Sequence, residues 1–137
     1  MITFTIPGVA VAKGRPRFAK RGNFVTTYTP EKTASYENLV KVLAMQEMRG
    51  AVPVSGPVNV TIDIAICPPA SWSNKKRAQA LNEEIYPTGK PDLDNTAKGI
   101  LDAMNGVAYL DDKQVIGLMV RKFYSDTDYA RVVVSIA

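Results

Sequence analysis

The sequence predicts an α+β fold, a mixed α/β domain in which a four-stranded mixed sheet carries two main helices. Three observations lead there. Val58 to Ile66 alternates apolar and polar side chains, the pattern of a strand. Two stretches, from about Pro30 to Met48 and from near Asp92 to Met104, place apolar residues at helical spacing. The order along the chain is strand, basic loop, helix, strand, excursion, helix, strand, strand, with no internal repeat and no low-complexity segment.

Each element has a local reason. Ile2, Phe4 and Ile6 alternate with threonines, which predicts a half-buried strand, and Pro7-Gly8 interrupts it. Val9 to Ala12 either extends that strand or forms an irregular arm. Lys13 to Phe18, with Arg21-Gly22-Asn23 as a turn, reads as a loop or loose hairpin holding Phe18 and Phe24. Thr29-Pro30-Glu31 supplies an N-cap, a proline at the first helical position and an acid in the first turn. Tyr36, Leu39, Val40 and Leu43 continue that helix, and Gly50 ends it. Pro53 to Pro57 connects to the strand of Val58, Val60, Ile62, Ile64 and Ile66, which Pro68-Pro69 stops.

Residues 70–89 form an excursion in which Ser73 caps a short helix through Glu84. The second main helix begins near Asp92, runs about three turns and ends at Asn105-Gly106. Asp111-Asp112 then heads a strand from Val115 to Tyr124. Asp126-Thr127-Asp128 turns into the last strand, Tyr129 to Ile136, and these two strands are expected to form an antiparallel hairpin. The strand between the main helices is expected to have an edge that needs cover.

Composition excludes several classes of chemistry. The 137 residues suffice for one domain with its own core, and the 46% hydrophobic content is that of an ordinary globular protein. Met1 leads straight into a strand pattern, which predicts no signal peptide, and no apolar run approaches the roughly 20 residues of a membrane helix. The single cysteine, Cys67, excludes an internal disulfide and fits a reducing, cytoplasmic setting. Histidine is absent, which removes Ser-His-Asp and Cys-His schemes, His-ligated zinc and His general bases. A hydrolase with this composition must work with carboxylates, lysines and metal-bound water.

Carboxylates gather where such chemistry would need them. Asp92 and Asp94 stand at the start of the second main helix, and Lys98 follows Asp94 by one turn on the same face. Asp111-Asp112 return at the head of the next strand. Asp92 and Asp94 also suit capping and the helix dipole, and Lys98 suits an ion pair with Asp94. Clustered carboxylates repel unless a cation offsets them, and an oxygen-only cluster suits Mg²⁺ or Mn²⁺. Spacing alone leaves a metal site and a solvated acidic loop both open.

The net charge of +4 is unevenly placed, since Lys13, Arg15, Arg17, Lys20 and Arg21 fall in the first 28 residues with no acid among them. A basic segment beside an acidic centre suggests a polyanionic substrate. Arginines can grip phosphates and aromatics can stack on bases; equally, the charges suit a solvated loop, and Phe18 and Phe24 suit anchoring that loop to the core. Lys75, Lys76 and Arg77 in the excursion either add contacts to a nucleic-acid backbone or form an exposed helix face.

Together these residues resemble the RusA family of Holliday-junction resolvases, in particular a phage- or prophage-like branch. The resemblance is carried by Lys90-Pro91-Asp92-Leu93-Asp94-Asn95, Lys98, Leu101-Asp102-Ala103, Leu110-Asp111-Asp112 and Gln114-Val115. Lys13 to Phe18 and Tyr28-Thr29-Pro30 add to it, and it covers nearly the whole chain. It implies a Mg²⁺-dependent endonuclease, with Mn²⁺ able to substitute, acting as a homodimer. Such an enzyme would bind four-way DNA junctions and nick two opposing strands symmetrically, in recombination and repair. It implies Asp92, Asp94, Lys98 and Asp112 as catalytic residues, and the three acids as metal ligands. Asp111 is an adjacent candidate. Two other classes fit the residues: a non-catalytic, structure-selective nucleic-acid-binding protein, and an enzyme on a free nucleotide or phosphosugar. The lack of a Gly-rich phosphate loop argues against the last.

Overall fold

The computed structural model describes residues 1–14, 17–21, 24–28 and 31–137, with the strands 17–21 and 24–28 given by their backbone alone. Strands β1 (Ile2–Pro7), β2 (Arg17–Arg21) and β3 (Phe24–Tyr28) precede helix α1 (Glu31–Met48). β4 (Val58–Ile66), α2 (Asn74–Leu81) and α3 (Leu93–Ala103) follow. A 3-10 turn (Asp112–Gln114) then leads into β5 (Val115–Tyr124) and β6 (Tyr129–Ile136). This is an α+β arrangement of three helices and a four-stranded mixed sheet of order β1-β6-β4-β5, with β2 and β3 paired as a separate antiparallel hairpin.

The expected hairpin of the last two strands does not form. β5 runs parallel to β4 on one side, and β6 runs antiparallel to β4 on the other. The cause lies in β4. Val58, Val60, Ile62 and Ile64 are all buried in the core, so this strand gains most from a neighbour on each side. The connection crosses its end, where the Ser125 amide donates to the Ile66 carbonyl at 2.9 Å and the Cys67 amide donates to Asp128 Oδ1 at 2.9 Å. The strand between the main helices is therefore central, and among the described residues the open edges belong to β1 and β5.

Both main helices lie on one face of the sheet. α1 buries Thr33, Tyr36, Val40 and Ala44, a stripe at three- and four-residue spacing. Its end is set by Arg49 and Gly50, at φ 50° and 79° in the left-handed region. α3 buries Thr96, Ala97, Ile100 and Ala103 and leaves Asp94 and Lys98 exposed. α2 is capped by Ser73, whose Oγ accepts from the Lys76 amide at 3.2 Å. It stops at Leu81, short of the expected Glu84, and Glu83 turns away at φ 62°. Among the described residues no helix is long and apolar enough to cross a membrane.

Candidate active site

The residues of interest line the exposed side of α3. Asp94, Lys98 and Asp102 recur every four residues and so share one face. At the start of the helix, Asp92 is the N-cap residue, and its backbone carbonyl accepts from the Thr96 hydroxyl at 2.7 Å. Its carboxylate does not cap the helix. Asp92 Oδ2 instead accepts from Asn95 Nδ2 at 3.3 Å, and Asp94 Oδ1 accepts from the Asn95 amide at 2.9 Å. Asn95 thus touches both acids. The preceding segment is held from the sheet, because Lys122 Nζ on β5 donates to the Gly89 carbonyl at 2.8 Å and the Pro91 carbonyl at 3.2 Å.

A second group sits at the far end of α3. Lys13 Nζ lies 2.8 Å from Glu37 Oε1 and 2.9 Å from Asp102 Oδ2, and Lys98 Nζ lies 3.9 Å from the same Asp102 oxygen. The Asp112 carboxyl lies against those of Asp102 and Asp111. Burial pushes the Asp102 carboxyl up, but hydrogen bonds with Lys13 and Asp112 and the charges of Lys13 and Lys98 outweigh it and hold the group below its ordinary value. Asp112 goes the other way: burial, its hydrogen bonds to the two neighbouring acids, and their charges all push it up. For Lys13, burial is outweighed by hydrogen bonds and attraction from Glu37 and Asp102, which raise it.

The acid-bearing turn is built by its own sequence. Asp111 Oδ1 accepts from the Lys113 amide at 2.9 Å, and Gln114 Oε1 accepts from the Asp111 amide at 2.9 Å, a capping box. Gln114 Nε2 then donates to the carbonyls of Val54 and Gly56 at 2.7 and 2.8 Å, fixing the turn to the connector before β4. Underneath lies Tyr109, fully buried, its hydroxyl donating to the Leu101 carbonyl at 2.7 Å. Burial, with the charges of Asp112, Asp102 and Asp111, pushes its phenol well up.

The residues singled out in the sequence therefore fall in separate places. Asp92 and Asp94 share Asn95 at the start of α3. Asp112 meets Asp102, which stands two turns beyond Asp94, about 12 Å along the helix. Among the described residues no three Asp, Glu, His or Cys side chains converge closely enough to hold a metal ion. Lys98 is exposed between the two acid pairs. Lys13 is committed to Glu37 and Asp102. Lys75 and Lys76 are exposed on α2, with Lys76 Nζ 4.0 Å from the centre of the Trp72 ring. Arg77 donates to the carbonyls of Pro68 and Pro69 at 3.1 and 2.9 Å. Arg15 and the side chains of Arg17, Lys20 and Arg21 lie outside the described residues.

Sequence reasoning singled out no role for Asp102, Glu37, Tyr109 or Lys122. For Asp102 a signal existed, since it extends the Asp94–Lys98 spacing by one more turn. For Glu37 none did, because its tie to Lys13 joins residues 24 apart on different elements.

Comparison with known proteins gives two matches. The family model for Endodeoxyribonuclease RusA matches residues 7–137. The "Uncharacterized protein YqaN" of Bacillus subtilis strain 168 is 38% identical over 135 residues, covering 97% of this chain and 94% of that protein.

Proposed function

The chain belongs to the RusA endodeoxyribonuclease family, and from that premise we propose that it is a Mg²⁺-dependent nuclease that resolves four-way DNA junctions by paired, symmetric nicks. Recombination and repair in the cytoplasm would be its setting, and a second copy of the chain its partner. The observation that supports this reading most is the face of α3, where Asp94, Lys98 and Asp102 are in line and Asp112 abuts Asp102.

The donor chemistry fits a hard divalent cation, because the acids offer only oxygen and the like-charged contact of Asp102 with Asp112 is the kind a cation relieves. We assign Asp92, Asp94 and Asp112 as the ligands of Mg²⁺, or of Mn²⁺ in its place, although among the described residues these acids do not converge on one point in this structure; a bound ion would supply a water of lowered pKa and neutralise phosphate charge. The chain's own side chains do the rest. Lys98 sets a fixed positive charge on the exposed face where negative charge develops on phosphate oxygens. Asn95 orients Asp92 and Asp94 together. Lys13 keeps Asp102 ionised and aimed at Asp112.

DNA contact is assigned to Lys13, Arg15, Arg17, Lys20, Arg21, Lys75, Lys76 and Arg77. Of the described four, Lys75 and Lys76 offer exposed charge, while Lys13 is paired with Glu37 and Asp102 and Arg77 is bonded to the Pro68 and Pro69 carbonyls. The test is incubation with a synthetic four-way junction in Mg²⁺ and in Ca²⁺, with duplex DNA as control. Junction cleavage in Mg²⁺ alone is expected. A second reading, a non-catalytic junction-binding protein, is favoured by the lack of a converging three-acid group among the described residues. Binding without cleavage in Mg²⁺ would select it.

A further inference from the structure

A groove of about 620 Å³ opens beside Asp92, between the extended arm Val9–Gly14, the first turn of α1 and the segment from Lys90 to Asn95. Its walls are tied together. The Lys13 amide donates to the Asn95 carbonyl at 3.0 Å, and the Gly14 amide donates to Thr33 Oγ1 at 3.0 Å. Its lining is of two kinds. Val9, Ala12 and Pro91 make an apolar surface, and Lys32 and Lys90 add exposed ammonium groups. Among the described residues neither lysine pairs with a carboxylate.

We propose that this groove takes a strand of the branched DNA whose nucleotides unpair beside the branch point on binding, with sugar and base against the apolar wall and phosphates at Lys32 and Lys90. The proposal rests on the junction-cutting reading above and adds the strand's path to it. A nucleotide has this same division into an apolar face and one negative charge, and unpaired strands are held by stacking surface plus backbone cations. Asp92 and Asn95 are part of its lining, so a strand lying in it would bring a phosphate to the start of α3. An intact duplex keeps its bases stacked and cannot enter. A four-way junction is paired throughout, but its pairs open at lower cost beside the branch point, where stacking is interrupted, so the groove selects junctions over duplex.

The test uses a four-way junction carrying 2-aminopurine at the branch, with Ca²⁺ replacing Mg²⁺ so that binding is read without cutting. The wild type is expected to raise the fluorescence as the base leaves the stack. Lys32→Gln with Lys90→Gln should bind the junction at least tenfold more weakly. The salt dependence should flatten by between one and two, since each phosphate contact contributes about 0.7 to 0.9 to the slope. Val9→Trp should fill the groove and abolish the fluorescence rise while leaving the slope unchanged. Arg49→Gln, beyond the far end of α1, should change neither. Thermal melting confirms that each variant is folded. Wild-type affinity and slope in the double lysine variant would overturn the proposal, as would equal losses on junction and duplex, or a full fluorescence rise in Val9→Trp. Failure of the wild type to bind or cut junctions would instead overturn the functional reading on which the groove depends.

Discussion

At the scale of single residues, Asp112 carries the largest tension in the site. Its carboxyl is pushed up by burial and by contact with Asp102 and Asp111. A raised carboxyl keeps a proton in the folded chain over a pH window where the unfolded chain has released it. Stability from this group is therefore present at low pH and falls as pH rises through the folded value. Asp102 has the opposite sign: its lowered carboxyl adds stability above the ordinary range, lost as pH falls through the folded value. Asp112→Asn should remove cleavage, keep junction binding, and raise the melting temperature at pH 7 by about a few degrees or less. Full cleavage by this variant would refute its proposed metal role, and a lower melting temperature would refute the repulsion. The acid types were legible in the sequence, as were their places at a helix start and a strand head. Which acids touch was not, because the contact of Asp112 with Asp102 depends on how the 3-10 turn docks through Gln114 onto the Val54–Gly56 connector.

At the scale of elements, α3 and β5 act as a pair. β5 starts just after Asp112 and carries Lys122 near its other end, where two backbone carbonyls beside Asp92 receive its ammonium. Lys122→Met should cost about 1–2 kcal/mol of stability and should lower the cleavage rate more than junction affinity, since the loop it holds leads directly into Asp92. Equal losses in both would show a general effect on folding. Within α3, Gly99 is buried where the N-terminal arm crosses, and a Cβ built there would lie 3.6 Å from Lys13 Cβ, an ordinary contact. Gly99→Ala should therefore stabilise the protein by roughly 0.5–1 kcal/mol, as glycine is a poor helix former, readable by urea unfolding; destabilisation would mean that the arm cannot tolerate the added methyl. Periodicity and capping residues made these elements readable in advance, with α2 ending three residues early. Strand order was not readable, since alternation tells which face of a strand is buried and says nothing of its neighbours. Only the burial of β4 on its core face, with strands on both sides, separates β5 from β6.

At the scale of the whole molecule, the sheet has a long open edge. β5 spans Val115–Tyr124, pairs among the described residues with β4 on one side only, and exposes Ile116, Leu118 and Met119 at 68%, 48% and 59%. Long apolar edge strands invite pairing with another chain. An isologous contact between two copies would give two identical sites about a two-fold axis, matching a substrate of near two-fold symmetry. A single nick leaves the joined duplexes connected, so two sites are what resolution needs. Size measurement without DNA is expected to show two chains per particle, and Leu118→Lys on the edge should yield folded monomers. Mixing wild-type subunits with Asp94→Asn subunits should give heterodimers that make one cut. On a supercoiled plasmid with an extruded cruciform, wild type should then give linear product and the mixed dimers nicked circles. A stable monomer that linearises the cruciform plasmid at the normal rate would refute the two-site arrangement while leaving the proposed metal-nuclease chemistry standing.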